Sequence, residues 1–221
     1  MAQRTLALAF PLTAIGAAWW GYVAPRPYGL SMAILIVLPW LSLVAIKMTG
    51  GKAGLALSIA FPSLVLGYRA FHDFHLTGWV VAAALACAIA AAFLAAAVFG
   101  NSGLRRNWGW LLVLFPVLAV TYGYGALLEA NMLLAVTPPK RFTAAILKQE
   151  RYRGRRYVTY DVVLGPWGGR PAGGSEVVSP ELYYALRKGS VACVDLNRGA
   201  LGVEYYQIRA CSEETRSRWF G

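Results

Sequence analysis

The only two histidines of this chain sit in one short stretch, His72-Asp73-Phe74-His75. On a helical turn, residues 72 and 75 share a face, and Asp73 could add an oxygen ligand, the beginning of a metal site. A structural zinc normally takes four protein ligands, and no further histidine exists to complete the set. A hydrated interfacial loop is the simpler account of these residues, so neither a metal nor a cofactor is expected. Glu129, beyond Tyr122-Gly123-Tyr124-Gly125, is the second position to weigh. Buried, it would be a proton or cation site. Near an interface, it would be solvated or paired with Arg69.

The third cluster is Arg151-Tyr152-Arg153-Gly154-Arg155-Arg156-Tyr157. Basic and aromatic residues interleaved in this way suit nucleic acid. Outside the cytoplasm that partner is not expected, and an envelope protein, an anionic lipid or a glycan phosphate becomes the better candidate. Arg151, Arg153, Arg155 and Arg156 are therefore the candidate binding residues, and a solvated hairpin turn explains them equally well. Cys193 and Cys211 are the two thiols of the C-terminal region, and an oxidising compartment would let them bridge. A hairpin turning at Asn197–Gly202 sets Cys193 opposite about position 206, so the bridge needs a skewed connection. Cys87 reads as a packing residue.

No catalytic set is legible. Ser175 and Ser179 have no histidine in the same region, and nothing pairs Asp161, Asp195 or Glu204. The glycine-rich stretch 165–174 lacks the Gly-Lys-Ser/Thr ending of a phosphate loop. The residues argue against an enzyme.

The elements that must carry these groups fall into two parts. Of 221 residues, 58% are hydrophobic and only 14% charged, against roughly a quarter charged in soluble domains. Windows at about 5–24, 28–47, 53–71, 78–99 and 108–128 approach the roughly 20 apolar residues that cross a bilayer. The expectation is thus an α-helical polytopic membrane bundle of about five spans over 1–136. The window 53–71 is the weakest, because Pro62 interrupts a short apolar run. Trp19-Trp20 and Tyr22 read as an interfacial aromatic belt rather than a signal-peptide cleavage site. Arg4, Lys47, Lys52, Arg105 and Arg106 on one side, against Arg26 and Arg69 on the other, favour a cytoplasmic N-terminus. Five spans then export the C-terminal domain, whereas a re-entrant 53–71 would keep it cytoplasmic. Phe10-Pro11, Phe61-Pro62 and Phe115-Pro116 hint at a repeated two-helix unit, and Pro is in any case common in membrane helices. The alanine-rich stretch 78–100 reads as a central helix of close approach.

Past Thr137-Pro138-Pro139 the period changes. Residues 141–149, 157–164, 175–178, 190–196 and 203–210 read as strands. Ser179, Pro180 and Glu181 open a helix that Arg187-Lys188-Gly189 stops. The order β-β-β-α-β-β over 137–211 suits an OB-like small barrel, or a partly open sheet with one covering helix. Residues 212–221 form a tail. The expected function is an integral inner-membrane protein that presents an extracytoplasmic β domain to envelope partners. A small transporter or channel component is the alternative. A membrane enzyme using His72, Asp73, His75 and Glu129 is a third.

Overall fold

The computed structural model describes residues 2–49, 54–100, 108–154, 158–168, 170–186 and 189–211. They divide into two compact units: a helical unit, and a β unit built from 75–77 together with the described residues of 136–211.

The helical unit contains α1 (Ala2–Val23), α2 (Tyr28–Thr49), α3 (Gly54–Asp73), α4 (Val80–Gly100) and α5 (Trp108–Leu133). Helices therefore form where apolar windows were expected, but the five-span bundle is overturned. Among the described residues, two helices are long and apolar enough to cross a membrane, at Tyr28–Met48 and Val80–Gly100. The other helices are diluted by small and polar residues. In α3 these are Ser58, Ser63, Gly67, Tyr68, Arg69, His72 and Asp73; in α5 they are Thr121, Tyr122, Gly123, Tyr124, Gly125, Glu129 and Asn131.

Helix α3 is the centre of this unit and packs on α1, α2 and α5. Its Ile59 and Leu66 join Met32, Leu35, Phe93 and Tyr122 in one buried cluster. Two glycines of α5 make the close approaches. A Cβ on Gly125 would stand 2.5 Å from the Leu66 carbonyl carbon of α3. A Cβ on Gly123 would stand 2.5 Å from the Ala86 carbonyl oxygen of α4. The expectation that α4 is central fails. Its Ala82, Ala86, Ala90, Phe93 and Ala97 form a single buried stripe, packed chiefly on α5. Close approach needs small residues on one side of a helix only, and Ala83, Ala84, Ala88, Ala91 and Ala92 are exposed.

In the β unit the strands are β1 (His75–Leu76), β2 (Lys140–Arg153), β3 (Val158–Leu164), β4 (Gly174–Val177), β5 (Val191–Arg198) and β6 (Glu204–Ala210), with α6 (Pro180–Ala185) between β4 and β5. One antiparallel sheet runs in the order β1-β6-β5-β2-β3-β4. Its core holds Ile146, Val162, Leu164, Trp167, Val194 and Tyr206. The C-terminal element order agrees with the sequence reading; the boundary at 137 does not, because β1 comes from the α3–α4 connection. Ser179 caps α6, its hydroxyl accepting from the Leu182 N–H at 3.2 Å. The sheet is curled. His75 of one edge strand and Glu176 of the other have side chains 3.2 Å apart. Side chains, rather than a backbone ladder among the described residues, close the gap an OB-like barrel would zip.

Two registers differ from expectation. Arg151, Tyr152 and Arg153 pair with Tyr160, Thr159 and Val158, so the basic segment begins on strand rather than in a turn. Strand β5 continues to Arg198, which pairs with Glu204, so Cys193 lies opposite Arg209 rather than position 206. Cys211 is thus two residues past the cross-strand partner, and it bridges to Cys193 with Cα atoms 5.0 Å apart.

Candidate functional site

The histidine stretch disperses. His72 ends α3 on the surface, its ring 4.3 Å from that of Tyr68. His75 belongs to the other unit. Among the described residues, no three His, Cys, Asp or Glu side chains converge as a metal site. Asp73 and Glu129, by contrast, meet at one hydroxyl: Tyr28 Oη lies 2.8 Å from Glu129 Oε1 and 3.1 Å from Asp73 Oδ2. The expected solvated or Arg69-paired Glu129 is corrected here. Glu129 is wholly buried, and Arg69 lies instead 3.6 Å from Asp73. The same guanidinium donates to the carbonyls of Gly21 and Tyr22. Tyr28 carries no warning in the sequence, since 101 positions separate it from Glu129.

In the β unit, the edges of the sheet meet over a polar group that sequence reasoning did not assemble. The Tyr206 hydroxyl donates to Glu176 Oε1 at 2.6 Å, and Arg170 donates to Tyr206 Oη at 2.8 Å while pairing with Glu176. His75 stacks on Tyr206, and Trp167 meets the same ring edge-on at 4.9 Å. Burial and the Arg170 guanidinium hold the His75 pKa below its ordinary value. A neutral imidazole donating Nδ1–H to Glu176 Oε2 fits that environment, because Arg170 and Tyr206 already take up the Glu176 charge. The pair resembles the orienting half of a catalytic triad. Among the described residues, however, no hydroxyl or thiol hydrogen-bonds to His75. The arrangement is suited to joining two sheet edges. Tyr206→Phe leaves buried Glu176 short of a donor and is expected to destabilise the β unit by about 1–3 kcal/mol, read as a lowered thermal midpoint.

The third assembly lies on the β2–β3 arm. Alternation along β2 puts Lys148, Glu150 and Tyr152 on one face and Gln149, Arg151 and Arg153 on the other. Lys148 and the Tyr152 hydroxyl both engage Glu150. Arg151 and Arg153, both exposed, meet no carboxylate among the described residues. The Arg151 guanidinium lies 5.6 Å from the centre of the Tyr160 ring. Tyr183 and Tyr184 of α6 complete an aromatic group, with ring centres 5.0 and 5.7 Å from Tyr160. Gln149 fixes α6 there by donating to the Tyr183 and Leu186 carbonyls at 2.9 and 2.8 Å. The arginines were legible in the sequence. Tyr183 and Tyr184 were not, because they come from a helix distant in the chain. Arg155 and Arg156 lie outside the described residues. Compared with known proteins, the chain matches no family model, no curated protein and no solved structure.

Proposed function

We propose that this is an inner-membrane protein with a cytoplasmic N-terminus, whose β unit stands outside the cytoplasm and binds an acidic envelope protein through the Arg151–Arg153 arm. The observation that carries this reading is the arm itself: two exposed arginines without carboxylates, beside three clustered tyrosines. Arg and Tyr are the residue types that dominate binding energy at protein interfaces. Membrane residence is supported by the apolar helices α2 and α4 and by large side chains turned outward on the helical unit, among them Leu12, Phe71 and Phe99. The Cys193–Cys211 bridge supports an oxidising compartment for the β unit.

The test places a photo-crosslinking residue at Tyr152 in the full chain in cells, with and without Arg151→Gln and Arg153→Gln. A discrete adduct with one acidic envelope protein is expected. The purified pair should bind about tenfold more weakly in the double variant, the equivalent of one charged contact of about 1.4 kcal/mol, and the difference should shrink at high salt. An adduct indifferent to both arginines rejects the reading. So does a double variant that loses only its binding to phosphatidylglycerol vesicles.

A further inference from the structure

Tyr28, Asp73 and Glu129 pose a question of proton counting. The Tyr28 hydroxyl has one proton and sits within hydrogen-bonding distance of two carboxyl oxygens, at 2.8 and 3.1 Å. A carboxylate accepts and cannot donate. Were both groups ionised, one of these contacts would join two oxygens with no proton between them. One of the two acids therefore carries a proton.

The surroundings decide which. Asp73 has the Arg69 guanidinium at 3.6 Å, which favours its charged form. Glu129 has no cation within ion-pair distance among the described residues. It is wholly buried, and its Oε2 has no hydrogen-bond partner there. An orphaned oxygen on a buried carboxylate is costly, whereas the carbonyl oxygen of a neutral acid tolerates the position far better. We infer that Glu129 is a proton-binding site: its Oε1–H donates to Tyr28 Oη, and Tyr28 donates in turn to ionised Asp73.

This inference stands apart from the arm and its partner. The bound ligand is a proton taken from water, and its release leaves two carboxylates facing one hydroxyl. The charged and titratable groups around the cluster are Tyr28 on α2, Arg69, His72 and Asp73 on α3, and Glu129 on α5. Helix α4 brings no charged residue, and α1 offers Arg69 two carbonyls.

Infrared spectroscopy of the full chain in detergent tests this. At pH 7 the protein should show the C=O stretch of a protonated carboxyl. It should vanish in Glu129→Gln, whose amide still donates to Tyr28, and persist in Asp73→Asn. Should the glutamine variant fail to fold, isotope labelling replaces it: carbon-13 glutamate, but not carbon-13 aspartate, should move the wild-type band. Absence of the band at pH 7, its survival in Glu129→Gln, or its movement with labelled aspartate overturns the assignment.

Discussion

Replacing Cys193 with serine is expected to destabilise the β unit by about 2–5 kcal/mol, the usual consequence of removing a native disulfide from a small domain. The bridge joins residues 18 positions apart, and it fastens the end of β6 to β5. Ala192 and Ala210, which pair beside the bridge, are small and bury little apolar surface. Little else compensates once the covalent tie is gone. Limited proteolysis of the full chain, with and without reductant, gives the measurement. Wild-type protein should become sensitive between β5 and the end of β6 only when reduced, and Cys193→Ser should be sensitive throughout. Equal cleavage of reduced and oxidised wild-type protein would count against a stabilising bridge.

Gly125→Val is expected to have the largest effect in the helical unit. Its added carbon would fall 2.5 Å from the Leu66 backbone, and a helix backbone has no rotamer with which to give way. Overpacking of this kind costs about 1–3 kcal/mol and sometimes more. Here the only relief is separation of α5 from α3, the helix on which the unit is built. Gly16→Ala is the control. A Cβ at Gly16 meets nothing within 4 Å, and alanine is favoured over glycine inside a helix by roughly 0.5–1 kcal/mol. In detergent, Gly125→Val should melt well below wild type and Gly16→Ala at or slightly above it. Matching melting points for the two variants would show that the α3–α5 approach has slack.

What could be read from the chain depended on how local the cause was. Helix α6 was legible because Ser179, Pro180 and Glu181 act within one turn. The C-terminal strands were legible because alternation and glycine breaks are also short-range signals. The number of membrane-crossing helices was misjudged because apolar runs were counted without weighing the serines, glycines and charges that dilute them. Strand β1 was invisible: two residues, His75 and Leu76, carry no period. The register of β5 against β6 turned on whether Asn197 and Arg198 were loop or strand, a choice settled by pairing with Tyr205 and Glu204. For the same reason the candidate sites appeared as fragments. Arg151 was plain without its tyrosines, Glu129 without Tyr28, and His75 without Glu176.

The insertion of β1 also sets a timetable. Thr77 and Glu204, which bond through two donors of Thr77, are 127 positions apart. At about 5–20 residues per second on the ribosome, the edge strand is made on the order of ten seconds before its neighbour exists. Through that interval His75 has no Tyr206 ring to stack on. Loop closure over such a span is paid in entropy before the contact returns anything. The pairing of β1 is therefore a late event in the life of each molecule. A chain interrupted anywhere before β6 would carry its first edge strand with nothing to join.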